Sequence, residues 1–394
     1  MNRTPQHAFD RVRAALCGEG ALVAGVLSGT SADGIDVALT RLRMEGGELA
    51  APELLRFETV PFAVPVHARL RAVLDGAPCT LGETARLSRD LGIAFGSAAR
   101  ALSQREGLRL DLVGSHGQTV WHHDGARAGE KATLQLGEGD HVAQAAGVPV
   151  ACDFRQADLA AGGEGAPLSG LADATIFRAL PRPVVILNLG GMANLTVLGA
   201  DGSVRGWDTG PANSLLDGLA RRLLGEPFDR DGACAARGRV HTALVERLLA
   251  HPYFAQALPK STGRDTFGEA WIEQCLAQAC ELGCTRPEDL CASAVEFLAR
   301  TIAQDLARLP ERMPLRELLV AGGGVHHRPW MQALERLTGC PVRSAGERGV
   351  NPDAREGLVF AVLAARCVLG IPSTRAEATG AAPGRVLGKL CWPG

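Results

Sequence analysis

Three glycine-rich turns and a few carboxylates carry the chemistry legible in this chain. The first turn, in "GVLSGTSADGID", sets Gly29, Thr30, Ser31, Ala32, Asp33, Gly34, Ile35 and Asp36 behind an apolar run. Backbone N–H groups of a tight glycine turn, joined by the hydroxyls of Ser28, Thr30 and Ser31, can hold a phosphate without a lysine if a divalent cation neutralises the charge. Asp33 and Asp36 would repel phosphate unless such a cation intervenes, which points to Mg²⁺ beside Asp33, directly or through water. The plainer alternative is an ordinary hairpin turn, for which "ADG" is a good sequence. "NLGGMANLT" offers a second such turn with Gly190, Gly191 and Asn194. "AGGGVHHR" puts Gly322, Gly323 and Gly324 between a strand and a helix, where backbone can lie against a planar ligand or a helix N-terminus can meet phosphates. Tight α/β packing would also account for each.

Asp208, in "GWDTGPANSLLDGL", lies where a strand should give way to a helix. A carboxylate there can act as a general base if it reaches the proton it must remove. The alternative is a helix cap made by Asp208 or Thr209. "GSHGQTVWHHD" clusters His116, Gln118, His122 and His123. With no cysteine partner nearby, hydrogen bonding of His116 and Gln118 to a polar ligand suits this stretch better than metal ligation. There is no P-loop, since Lys260-Ser261 follows Leu258-Pro259 rather than glycine, and "GGEGAPLSG" and "AGGGVHHR" both lack the third glycine of a dinucleotide fingerprint. The Cys275, Cys280, Cys284 and Cys291 series has no C-x-x-C spacing and reads as buried filler.

The elements that must position these residues follow from the apolar pattern. Strands are expected at 21–27 and 35–42, near "LLRFETV" and at "DLVGSHGQT", with helices at 67–74 and across "LGETARLSRDLGIAFGSAARALSQ". The pattern restarts about 160 residues on, at "PVVILNLGGMANLTVL". Helices near 212–224, 269–282 and 288–309, strand "ELLVAGGGV", helix 329–338, strand "CPVRS" and helix 353–369 follow. Two halves that each open on a strand hairpin and then alternate helices with strands suggest a duplicated α/β unit, divided at 21–180 and 181–370 with a tail at 371–394.

A chain of 394 residues supports two cores, and 46% hydrophobic with 21% charged residues fits a globular protein. A formal net charge of −2 argues against a nucleic-acid or membrane surface. Lysine is scarce, with Lys131, Lys260 and Lys389 the three in the chain, so Lys260 in "PKSTGRDTF" stands out. No apolar run reaches a membrane span, the N-terminal stretch is too acidic for a signal peptide, and eleven scattered cysteines fit a reducing cytoplasm.

"GVLSGTSADGIDVAL", "GSHGQTVWH", "DFRQADLAAGGEGAPL", "LNLGGMANL", "DTGPANSLLD", "YFAQALPKSTGRDTF" and "AGGGVHHRPWMQAL" occur together in the order and spacing of anhydro-N-acetylmuramic acid kinases, so the chain resembles that family from about residue 25 to 369. The resemblance implies a duplicated actin-like (ribonuclease H-like) ATPase fold with ATP and Mg²⁺ in a cleft, and a small sugar as the other substrate. It implies that residues 29–36 form the first phosphate hairpin, 190–194 the second, and 322–324 part of the adenosine site. Water would open the 1,6-anhydro bridge of the sugar while O6 takes the γ-phosphoryl group, with Asp208 as base and Glu356 as a further carboxylate near the water. His116, Gln118, Asp153, Arg155, Gly165, Pro167 and Thr209 fall to the sugar side, with Arg155 facing a lactyl carboxylate, and a homodimer is implied. Departures from the family pattern are Glu164 where Gln is usual, Ser169-Gly170, Ala32 and Ala212. Glu164 bears on which sugar is accepted. Another 1,6-anhydro sugar such as levoglucosan, or a nucleotide-dependent clamp without catalysis, are the alternatives.

Overall fold

The run 21–28 is buried at every position, as a strand at the centre of a covered sheet requires, and it forms β1 (Ala21–Ser28). The structure is a computed structural model and describes residues 5–29, 31–122, 130–309 and 315–394. Strand β2 (Ile35–Leu42) returns antiparallel to β1, and β3 (Glu53–Val60) pairs antiparallel with β2. Helix α1 (Leu81–Arg105) opens on a capping box in which the Thr80 hydroxyl accepts from the Glu83 N–H and Glu83 accepts from the Thr80 N–H. Strand β4 (Leu112–His122) lies parallel to β1, and the short β5 (Thr133–Leu136) pairs with it. Helix α2 (Gly139–Ala146), strand β6 (Val150–Cys152) parallel to β4, α3 (Phe154–Ala160) and α4 (Ser169–Ile176) follow.

A second antiparallel meander then begins, with β7 (Val184–Leu189), β8 (Met192–Leu198) and β9 (Val204–Pro211). Helices α5 (Asn213–Leu223) and α6 (Pro287–Ala307) precede β10 (Leu318–Ala321), which is parallel to β7. Helix α7 (Arg328–Thr338) leads to β11 (Val342–Ser344), parallel to β10. The chain ends with α8 (Arg355–Leu369) and β12 (Lys389–Cys391), the latter antiparallel to β6.

Two units result. One comprises the described residues of Met1–His122, Arg127–Leu180 and Ala354–Gly394, the other those of Pro181–Asp353. The strand order is β12-β6-β4-β1-β2-β3 in the first sheet, with β5 beside β4, and β9-β8-β7-β10-β11 in the second. In both, an antiparallel meander is extended by parallel strands on the side of its first strand. That is the same five-strand plan twice, and it matches the restart read from sequence.

The division at residue 370 needs correcting. Helix α8 and the tail pack with the first unit, because its sheet carries a floor of glycines cut to receive that helix. A Cβ on Gly25 would lie 1.7 Å from the Gly357 carbonyl oxygen, and one on Gly114 2.2 Å from that of Phe360. Helix backbone therefore rests directly on strands β1 and β4. The buried Arg355 guanidinium also pairs with Asp173 of α4, which fixes the start of α8. No helix among the described residues is long and apolar enough to cross a membrane.

Candidate active site

Strand β9 continues through Asp208 as far as Pro211, so Asp208 lies within the sheet, opposite Asn194 of β8, rather than at a strand–helix junction. Its Oδ2 accepts from Ser261 Oγ at 2.9 Å and from the Thr262 N–H at 3.0 Å. The same loop takes its main chain, since the Asp208 N–H donates to the Lys260 carbonyl at 2.9 Å. From the other side the Tyr253 hydroxyl donates to the Asp208 carbonyl at 2.6 Å. Asp208 is only 6% exposed, and N–H and O–H donors on a carboxylate favour the ionised form that can take a proton. The cap alternative fails, because Ala212 is the N-cap of α5 and makes no side-chain cap bond. Thr209 is fully buried and its hydroxyl donates to the Ala193 carbonyl at 3.4 Å.

The turn at Gly190 and Gly191 is closed by the start of α5. The Asn213 N–H donates to the Gly190 carbonyl, and the Ala212 and Ser214 N–H groups donate to that of Gly191, at 3.0, 3.0 and 3.1 Å. The third glycine turn meets the same place. Gly322 has φ +81°, and a Cβ there would sit 2.7 Å from the Leu189 carbonyl oxygen, so glycine is needed on both counts. Gly324 packs on the Leu189 side chain, while Gly323 is exposed and leaves its backbone accessible. Gly190, Gly191 and Gly322 to Gly324 are thus brought together within the second unit, and Asn194 lies half-buried on the adjoining strand between Asn188 and Asp208.

In the first unit the loop between β1 and β2 turns through a bond from the Ala32 N–H to the Gly29 carbonyl at 3.0 Å. Ala32 is buried with φ 55°, Gly34 and Ile35 are buried, and Asp33 is exposed. Asp36 belongs to the strand, where it accepts from Thr59 Oγ1 at 2.6 Å, and the Ser31 carbonyl accepts from Arg71 at 3.0 Å. Thr30 lies outside the described residues. Beyond its chain neighbours, Gly29 has no atom of the described residues within 4 Å of where a Cβ would be. Beside it, Gln118 Nε2 donates to the Gly29 carbonyl at 3.2 Å. Gln118 Oε1, Ser28 Oγ and Ser115 Oγ are buried with no hydrogen-bond partner among the described residues. Leftover buried polar atoms of this kind suit a polar ligand.

The same unit ties together three of the expected sugar-side residues. Arg155 donates from Nε to His116 Nε2 at 3.0 Å and from Nη1 to the Gly165 carbonyl at 2.6 Å. Accepting from a guanidinium leaves the His116 proton on Nδ1, which lies 3.2 Å from the Gly117 carbonyl. Burial, then the Arg155 charge, push the His116 pKa well below its usual range, so the ring is neutral. Asp153 stands apart from this cluster in a 2.5 Å ion pair with Lys389. Pro167 follows a cis peptide bond two residues beyond Gly165. Glu356 is half-buried in the first turn of α8, where the helix dipole favours a negative charge.

Three supports escaped the sequence reading. Buried Asp158 accepts from the Gly165 N–H at 2.8 Å and from Thr379 Oγ1 at 2.7 Å, which shapes the "GGEGAPL" loop. Lys131 pairs with Glu164 at 2.5 Å. Ser261 and Thr262 grip Asp208. The scarcity of lysine is the one signal in the sequence, and it singles out Lys260 without saying why.

The repeated five-strand plan, with glycine turns at the ends of its leading strands, defines a duplicated α/β protein of the actin-like, ribonuclease H-like class. A sequence model of the family described as anhydro-N-acetylmuramic acid kinase matches residues 21–393. Relatives named anhydro-N-acetylmuramic acid kinase include one from Xanthomonas campestris pv. campestris (strain 8004), 40% identical over 94% of this chain and 97% of its own. Another, from Salinibacter ruber, is 40% identical over 94% of this chain and 96% of its own. Among solved structures, the activator of 2-hydroxyisocaproyl-CoA dehydratase from Clostridium difficile with bound ADPNP aligns with a TM-score of 0.42 and 11% identity over 88% of this chain and 96% of that one. The chain belongs to the anhydro-N-acetylmuramic acid kinase family. It is a kinase that phosphorylates a sugar hydroxyl.

Proposed function

We propose that this kinase uses ATP and water to convert 1,6-anhydro-N-acetylmuramic acid into N-acetylmuramic acid 6-phosphate, a step of cell-wall amino-sugar recycling. The observation that supports the reading is the grip of Ser261 and Thr262 on Asp208 Oδ2. Water attacking an anomeric carbon needs a base on the face away from the departing oxygen, as in an inverting glycosidase. Asp208 takes the water proton as the new C1–O bond forms, the C1–O6 bond breaks, and O6 accepts the γ-phosphoryl group. Glu356 is the second carboxylate of this proposal.

Backbone donors of loop 29–34 and of the turn at 190–191 would hold the phosphates, and the backbone at 322–324 the adenosine. Mg²⁺, when bound, neutralises phosphate charge. It would be held largely by water and phosphate oxygens, with one or two carboxylates, and the exposed Asp33 is the residue that would supply one. Arg155, oriented by His116 and Gly165, would meet the lactyl carboxylate. The added charge of Glu164 is offset by Lys131 within the same unit, which favours retention of the muramic substrate. Eleven cysteines without a disulfide suit a reducing cytoplasm.

The test is turnover in ¹⁸O-labelled water with ATP, Mg²⁺ and the anhydro sugar, where label is expected at C1 and phosphate at O6. Asp208→Asn should lower kcat by about 10²–10⁴ while ATP binding, measured by calorimetry, persists. Near-normal turnover in that variant would remove Asp208 from the role. Equal use of levoglucosan would defeat the muramic assignment.

A further inference from the structure

The loop that grips Asp208 is itself anchored by an unusual feature. Lys260 supplies the carbonyl bonded to the Asp208 N–H, and its own side chain is buried within the second unit. There its Nζ meets Asp305 Oδ1 of α6 at 3.1 Å, with both side chains only 2% exposed. The ammonium also lies 4.7 Å from the centroid of the Tyr253 ring, and the Tyr253 hydroxyl is the donor to the Asp208 carbonyl. One side chain therefore braces two groups that hold Asp208: the 260–262 backbone and Tyr253.

Stability is a poor reason for such a pair. Desolvating two charges is expensive, and apolar replacements of buried ion pairs are often neutral or stabilising. A structural role alone would be filled as well by leucine and methionine. What an ion pair adds is a fixed direction for the Lys260 stem, hence a fixed place for the two residues that follow it, Ser261 and Thr262.

We infer that the buried Lys260–Asp305 pair is a positioning device for the Asp208 carboxylate, setting its direction through Ser261, Thr262 and Tyr253. The inference rests on the reading of Asp208 as the base. The charged groups facing Lys260 are Asp305, Arg308 and Asp208, and Arg308 reaches Asp305 at 3.4 Å. Burial lowers the Lys260 pKa against the pull of Asp305, and raises the Asp305 pKa against the pull of Lys260 and Arg308.

The experiment compares wild type with Lys260→Met/Asp305→Leu, which leaves no lone buried charge, and with Lys260→Arg, which keeps one cation. In the double variant kcat is expected to fall on the order of 10²-fold, the usual cost of misplacing a catalytic group by about 1 Å, with KM for ATP unchanged. The acidic limb of its kcat/KM profile should move to higher pH as the carboxylate loses donors. Lys260→Arg should recover a large part of kcat. If the double variant does not fold, Asp305→Asn, which keeps an acceptor for Lys260, is read in the same way. A folded variant with wild-type kcat and an unmoved acidic limb overturns the inference. Asp208→Asn separates the two failures: if it is inactive while the double variant is normal, the base stands and the positioning role falls. If Asp208→Asn is itself active, the reading beneath both falls.

Discussion

The two hairpin turns that open the two units look alike in sequence and differ in how much of their backbone is already engaged. The turn at Gly190 and Gly191 is short, and both of its carbonyls are taken by N–H groups at the start of α5. Gly322 and Gly324 press against Leu189 directly before it. The loop from Gly29 to Gly34 is longer and, among its described residues, has one internal bond, from Ala32 to Gly29, with space beside Gly29. One turn has its shape built in by the fold. The other leaves room for a ligand to complete it, with the leftover polar atoms of Ser28, Ser115 and Gln118 alongside. Duplication thus supplied two similar frames, and local packing turned them into a rigid turn and an adaptable one.

The largest effect outside Asp208, the proposed base, is expected where the rigid turn is tested. Gly322→Ala places a methyl in a left-handed conformation and against the Leu189 carbonyl at once. Backbone strain and overpacking together should cost about 3 kcal/mol or more, read as a lower urea midpoint of the second unit. An alanine variant as stable as wild type would mean that this turn is no better braced than its counterpart.

The same contrast explains how far the sequence could be read. Apolar runs and glycine punctuation made both meanders legible, because strands and tight turns are set by residues close in the chain. The place of α8 was not legible, since it depends on Gly25 and Gly114 meeting a helix more than 240 residues away, and no local pattern encodes that. Asp208 was found, but as the edge of a helix rather than the middle of a strand, because "DTGP" reads as strand-breaking unless the pairing of β9 with β8 carries it onward. Its partners Ser261 and Thr262 lie over 50 residues along, and Asp158 meets Thr379 across 221. Ligand-holding glycines announce themselves by type. The groups that aim a carboxylate do not, since serine, threonine and tyrosine are common everywhere.

A smaller effect is expected from the polar floor of the adaptable unit. Folded His116 stays neutral well below its usual pKa of 6.5, because burial and Arg155 oppose a positive charge, whereas the unfolded chain protonates it normally. Above about pH 6.5 the ring is neutral in both states and the difference contributes nothing. Below that pH the unfolded state binds the extra proton, so stability falls as pH falls, by up to about 1.4 kcal/mol per pH unit. Urea unfolding at pH 7.5 and 5.5 should show this slope in wild type and a shallower one in His116→Gln. Equal slopes would remove His116 as the source.

The smallest effect on the fold, and the sharpest on the comparison, belongs to Gly29→Ala. Gly29 lies outside the left-handed region and its Cβ would meet no atom within 4 Å among the described residues beyond its chain neighbours, so the substitution carries neither strain nor clash there. Loss of backbone freedom in the unfolded chain should even raise stability slightly, by about 0.4–1 kcal/mol. If the open space is where phosphate meets the loop, the methyl intrudes on the ligand instead. KM for ATP should then rise at least about fivefold, the equivalent of about 1 kcal/mol, with kcat little changed. Unaltered KM alongside unaltered stability would show that the space beside Gly29 is not used, and the adaptable part of the loop would have to be sought further along, toward Ser31 and Asp33.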